Sequence, residues 1–208
     1  MADDPRRRGW EERWARAVPL SPPSSFVAGV LDVLARVADD ATGRRRALDV
    51  ACGGGRHALA AAVHGYRVTA VDYARPALVA LRAAAAARGL AIDAIEEIVA
   101  DVETWPIPVV RFDLVMVVDF LSRPLLPALR AAVLPGGVLI VETFLSGQER
   151  HGHPRNPDFL LRPGELAALC RGWEVLASYE GETSTPAPAC RAGIAARAPA
   201  APDGRVPR

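Results

Sequence analysis

Apolar positions along the chain cluster into short runs separated by longer stretches of mixed polarity. Residues 47–51, 67–72, 94–100, 112–118 and 138–144 each read as strands that are apolar almost throughout, the signature of strands covered on both faces. The stretches between them, 56–64, 75–88 and 125–133, read as helices. Ahead of the first strand, Phe26, Val30, Val33, Leu34 and Val37 recur near a period of 3.6, and Ser24 or Ser25 is placed to cap that helix. Alternating strands and helices predict an α/β fold: a doubly wound, Rossmann-like sheet, mostly parallel, with helices on both faces. The end of the chain breaks the alternation. After a helix over 163–171, strands over 173–179 and 191–198 follow each other across a Pro- and Thr-bearing turn at 182–189, which predicts an antiparallel pair. Residues 199–208 read as a disordered tail, and no internal repeat is present.

Composition narrows the chemistry. All 25 residues counted as Lys or Arg among the 208 are Arg, so a Schiff-base nucleophile, a pyridoxal-phosphate anchor, a P-loop and a Tyr-Lys relay all lack their Lys. The Ala, Arg, Pro and Gly bias is what GC-rich codons produce without selection. With 24 acidic residues the net charge is +1, which gives no general field for nucleic acid. Cys52, Cys170 and Cys190 are odd in number and lack metal-site spacing, so they read as reduced thiols of a cytoplasmic protein. The first eight residues have no apolar stretch behind their charges, and the most apolar region, 125–141, is cut by Arg130, Pro135, Gly136 and Gly137. Neither a secretory signal nor a membrane span is expected. The oligomeric state is not encoded in any of these patterns.

The strongest motif is Leu48-Asp49-Val50-Ala51-Cys52-Gly53-Gly54-Gly55-Arg56, a strand that ends in glycines where a helix begins. Glycine there lets backbone approach a ligand closely and take positive φ. Gly53, Gly55 and Ala58 also fit a dinucleotide fingerprint, with Asp72 at the end of the next strand. Asp49, four residues before the first glycine, points elsewhere: a carboxylate in that crevice repels a pyrophosphate and suits an ammonium group, such as that of S-adenosylmethionine. Asp72 is placed to accept both ribose hydroxyls, and Asp101 follows the third strand, where it takes an adenine amino group or caps the turn after it. Tyr73 and Val102, beside those carboxylates, complete the expected cofactor set.

With Phe112-Asp113-Leu114-Val115 and Leu134-Pro135-Gly136-Gly137-Val138-Leu139, these residues resemble the class I S-adenosylmethionine-dependent methyltransferases over residues 47–197. The resemblance implies S-adenosyl-L-methionine as cofactor and a seven-stranded sheet whose last strand is antiparallel. Ala51 stands where the family's first motif commonly has Gly. More narrowly, the Arg-, aromatic- and Pro-rich start, Gly53-Gly54-Gly55-Arg56-His57, and Arg162-Pro163-Gly164-Glu165-Leu166 with Trp173-Glu174-Val175 resemble the tellurite-resistance type of methyltransferase. That likeness implies that Trp10, Arg13 and Trp14 fold over the cofactor, with Trp14 touching it, so that residues 1–46 form a lid on a domain at 47–198. The group carries a His in the loop before its last strand; here Glu182-Thr183-Ser184-Thr185 has none.

The remaining candidates lie after the fourth and fifth strands. Asp119 either faces the methionine portion of the cofactor or caps the next helix. Arg123 supplies a fork for an anion or pairs with an acidic neighbour, and Arg155 is a second anion-binding candidate. His151 and His153 are candidates for a general base; without a third ligand at metal-site spacing, no metal is expected. The predicted reaction moves a methyl group to a small-molecule acceptor, a thiol, a chalcogen oxyanion or another small nucleophile. A nicotinamide-dependent oxidoreductase and a non-catalytic cofactor-binding module are the two other readings of the same glycine loop.

Overall fold

The chain divides into two units, residues 1–106 and 107–208, in a computed structural model that describes residues 5–16, 20–37, 45–184 and 186–201. Most of the expected tail, 202–208, lies outside the described residues, as do 38–44 ahead of the first strand.

The first unit runs α1 (Pro5–Ala15), α2 (Ser25–Val37), β1 (Arg46–Val50), α3 (Arg56–Val63), β2 (Arg67–Asp72), α4 (Arg75–Ala87) and β3 (Ile95–Val99). Its strands are parallel, with Asp49 beside Ala70 and Asp72 beside Val99. β1 and β2 are buried for most of their length, with α3 packed on both and α4 on β2, whereas β3, an edge strand, stays partly open. In α2 the Ser24 hydroxyl accepts from the Val27 amide at 3.1 Å, the cap expected. The buried face of α2 is Val27, Val30, Leu31 and Leu34, and Val33 points to solvent. This corrects the stripe read from sequence by part of a turn: positions i, i+3, i+4 and i+7 start from Val27, not Phe26. His57 of α3 is buried and its Nε2 accepts from the Ser24 amide at 3.3 Å, which ties the start of α2 to α3.

The second unit runs β4 (Phe112–Val118), α5 (Leu126–Ala132), β5 (Val133–Phe144), α6 (Glu165–Leu169), β6 (Glu174–Thr183) and β7 (Ala189–Arg197). β5 starts five residues earlier than its apolar run suggests, because Val133 already pairs with Phe112 while Val138 pairs with Leu114. Residues 134–137 loop out of the ladder, with Gly136 at φ +78°. A Cβ on Gly137 would stand 3.0 Å from the carbonyl oxygens of Asp113 and Leu134, so that position admits only glycine without displacing backbone. β7 is antiparallel to β5 on one side and to β6 on the other.

The strand order is β3-β2-β1-β4-β5-β7-β6, a mixed seven-stranded sheet whose parallel pairing ends at β7. Cys52, Cys170 and Cys190 are all buried and unpaired. No described helix is long and apolar enough to cross a membrane.

Candidate cofactor site

In the first unit, β1 delivers Asp49 to the base of the glycine loop with 1 % exposure. The backbone N–H of Ala58, in the first turn of α3, reaches its carboxylate, yet Oδ2 has no hydrogen-bond partner. Burial pushes this carboxyl up to about 7; the neighbouring Asp72 adds to the rise, and the Ala58 amide and Arg56 oppose it. A buried carboxylate oxygen left unpaired is costly. A ligand ammonium group placed against Oδ2 relieves that cost, so the site fits a cationic group.

Asp72 closes β2 and holds the loop in shape. Its Oδ2 accepts from the Gly53 amide and its Oδ1 from the Ala74 amide, each at 2.8 Å. Both oxygens, expected to meet ribose hydroxyls, therefore already accept from backbone amides that fix the carboxylate in place. Burial raises this carboxyl as well, while the amides of Ala74, Gly53 and Tyr73 pull it back. Tyr73 lies beside it, half-buried.

The loop between them is shaped by positive φ at Gly53 (+55°) and Gly55 (+76°) and by close packing. A Cβ on Gly55 would fall 2.3 Å from Leu81 Cδ1 of α4; one on Gly54 would fall 2.3 Å from Leu20 and 2.7 Å from the Trp14 ring. Gly53 also lies beneath that ring, 3.0 Å from it at the Cβ position. Trp14 of α1 thus rests on the glycine loop, while Trp10 is 46 % exposed with the Arg13 guanidinium over its ring at 4.9 Å. Ala51 adopts φ +53°, a left-handed conformation that costs an L side chain about 1–2 kcal/mol. Sequence reading noted Ala51 only as a departure from Gly; the structure shows that the backbone still takes the shape Gly would favour.

Asp101 is exposed and its Oδ1 accepts from the Glu103 amide at 3.0 Å, while its carbonyl takes the amides of Thr104 and Trp105. That is the turn-capping alternative, and it leaves the other carboxylate oxygen open. Val102 beside it is buried at 2 %.

In the second unit, Asp119 follows β4 at φ +58° and its Oδ1 meets Arg191 Nη2 at 2.5 Å. The ion pair belongs to a cluster that sequence reading missed: Tyr179 donates to buried Glu142 at 2.7 Å, and Arg191 also lies over the Phe144 ring at 4.6 Å. Burial would lower the Arg191 guanidinium, but Asp119 and Glu142 hold it above its ordinary value. Burial and the Glu142 bond raise the Tyr179 phenol. The available signal was Glu142, a charge inside the apolar run of β5.

Arg123 does not pair with Asp119. Its Nε and Nη2 form a fork on Glu165 at 2.7 and 2.9 Å, and its remaining bonds reach the carbonyls of Asp158 and Leu160. The expected anion fork is thereby largely committed inside the protein. Arg123 and Arg155 nevertheless line one cavity. His151 lies 3.5 Å from Glu182, whereas His153 is exposed and offers its carbonyl to Gln148. Among the described residues no group of three or more His, Cys, Asp or Glu is arranged to hold a metal.

Residues 47–137 match the model of a family described as a methyltransferase domain. No curated protein matches the sequence. Among solved structures the chain is similar to TehB from Haemophilus influenzae (18% identity, TM-score 0.70, 91% of this chain and 67% of that one). It is also similar to the glycopeptide N-methyltransferase MtfA complexed with S-adenosylmethionine (18%, 0.56, 87% and 100%) and to the [4+2]-cyclase SpnF (19%, 0.62, 84% and 82%). A cyclase among the neighbours shows that this fold alone does not name a reaction.

Proposed function

We propose, for a chain whose residues 47–137 match a methyltransferase-domain family, an S-adenosylmethionine-dependent enzyme that methylates a small-molecule acceptor, a thiol, a chalcogen oxyanion or another small nucleophile. The observation that supports the cofactor reading best is the buried, unpaired Oδ2 of Asp49 beneath the glycine loop. In this reading Asp49 takes the cofactor's ammonium group, Asp72 the ribose hydroxyls, Asp101 and Val102 the adenine, and the backbone at Gly53 and Gly55 the chain that joins them. Tyr73 borders the ribose. Trp14 lies across the loop and keeps water out, which strengthens the charged contacts beneath it.

S-adenosyl-L-methionine supplies an electrophilic methyl group on a sulfonium. The chain's own contribution is alignment, worth several kcal/mol when reacting atoms are held in line. A protonated acceptor needs a base, and His151, oriented by Glu182, suits that role better than His153. We further assign residues 1–46 to the lid, 47–198 to the catalytic domain and 199–208 to a tail. The protein is placed in the cytoplasm, with no nucleic-acid or membrane partner.

Titration calorimetry with S-adenosylhomocysteine tests the assignment. Asp72→Ala is expected to weaken binding by about 1–3 kcal/mol through loss of charged hydrogen bonds, and an unchanged dissociation constant would remove Asp72 from the site. Radiolabelled methyl transfer screened over thiols, selenite, tellurite, phenols and amines identifies the acceptor; if none gains label, the small-molecule reading fails.

A further inference from the structure

The second unit holds a cavity of about 340 Å³ whose lining includes Arg123, Arg155, Arg162, Ser146, Leu160 and Leu161. The leucine segment is rigidly built. Leu161 bridges to Leu145 just past the end of β5, its amide donates to the Phe144 carbonyl at 2.9 Å, and its carbonyl accepts from the Ser146 amide at 2.9 Å. Arg123 then laces the segment together through Asp158, Leu160 and Glu165. A fork with both oxygens of a carboxylate and two backbone carbonyls fixes position and orientation at once.

Arg123 is a strut, and the other two guanidinium groups are not. Among the described residues Arg155 makes no hydrogen bond, ion pair or ring contact, and the Arg162 side chain makes no hydrogen bond. Arg130, Arg150 and Arg191 of the same unit, by contrast, are all bonded to carbonyls or carboxylates. Two carboxylates also line the cavity. Glu149 is turned back onto the Gly147 amide at 2.9 Å, and Asp158 is exposed beside Arg123. With Arg123 spent on Glu165, the charges of Arg155 and Arg162 are offset by Glu149 and Asp158, and what the cavity offers an anion is two planar guanidinium donors whose side chains make no hydrogen bond within the protein.

At about 340 Å³ the cavity has room for a small organic molecule, whose sites begin at about 300 Å³. We propose that this cavity binds a small organic acid, its carboxylate on Arg155 and Arg162 and its apolar body on Leu160, Leu161 and Pro157. This goes beyond the cofactor site, and no residue of the glycine loop takes part.

The test is calorimetric titration of the full chain with benzoate, 4-hydroxybenzoate and hexanoate, beside the neutral benzamide and hexanamide and the bare oxyanion selenite. The carboxylates are expected to bind with Kd of about 1 mM or tighter, and each amide about tenfold more weakly or worse. Arg155→Ala is expected to weaken carboxylate binding about tenfold or more, with Arg155→Lys in between because it keeps the charge and loses the fork. Arg155 has no internal partner, so both variants retain the wild-type melting temperature and the wild-type response to S-adenosylhomocysteine. Failure of every carboxylate to bind overturns the proposal. So does equal binding of the amides or of selenite, or wild-type affinity in Arg155→Ala with Arg162→Ala. Loss of the S-adenosylhomocysteine response in the wild type would instead overturn the cofactor site and leave this one standing.

Discussion

Asp49 carries a titration that the cofactor site makes measurable. Its folded-state pKa is raised from 3.8 to about 7, so its favourable contribution is complete below pH about 4 and is lost as pH rises through 7, by an amount on the order of 4 kcal/mol. The apo protein is therefore expected to lose stability over that window, and Asp49→Asn to flatten the profile while weakening cofactor binding. An ammonium group favours the ionised carboxylate, so binding releases a proton near neutrality. S-adenosylhomocysteine is expected to bind more tightly at pH 8 than at pH 6; equal dissociation constants at the two pH values would show that Asp49 does not face the ammonium. Residues of this kind were legible in the sequence because their chemistry and spacing are local: Asp49, the glycines and Asp72 lie within 24 positions. Arg123 was not, since its partner Glu165 lies 42 positions away and no short pattern records that pairing. Asp101 stood in between. A carboxylate after a strand reads equally as ligand or cap, and the structure supplies the cap bonds without removing the free oxygen.

At the scale of elements, α1 is seated against α4 and on the glycine loop. Its residues show little amphipathic pattern, and its contact with the loop is Trp14 against Gly53 and Gly54. Gly54→Ala puts a methyl 2.3 Å from Leu20 and 2.7 Å from Trp14, which displaces α1 while leaving β1 and α3 in place. The expected result is faster proteolysis ahead of residue 20 and a shift in Trp emission, with a main unfolding transition that moves by less than about 1 kcal/mol. A protease pattern identical to the wild type would mean that α1 is held elsewhere. Strands were read well because burial on both faces writes a continuous apolar run. Their ends were read less well. β5 gained its early residues through a looped-out Pro-Gly-Gly segment, and β6 extended through the polar positions 180–183, whose pairing is set by the partner strand β7 and not by hydropathy.

For the molecule as a whole, the family match ends at residue 137. The cofactor loop lies within it; Glu142, Tyr179, Arg191 and most of the arginine cavity lie beyond. The glycine loop proposed to hold the cofactor is thus in the part whose sequence carries the family's pattern. The proposed organic-acid cavity is held together by long-range pairs that only coordinates reveal. The Lys-free composition is consistent with that division, since every cation in either place is a guanidinium, whose fixed fork suits planar acids.

The three buried cysteines turn the fold into its own clock. A thiol reagent reacts only when the surrounding structure opens, so the rate at each cysteine reports the opening of its own neighbourhood. Cys52 sits in the glycine loop, Cys170 just past α6 and Cys190 within β7. S-adenosylhomocysteine is expected to slow labelling of Cys52 about tenfold or more at concentrations 10 times its Kd, if opening of the loop must expel it, and to leave Cys170 and Cys190 unchanged. Equal slowing at all three would mean that the chain opens as one cooperative body, and mass spectrometry of the labelled peptides distinguishes the two.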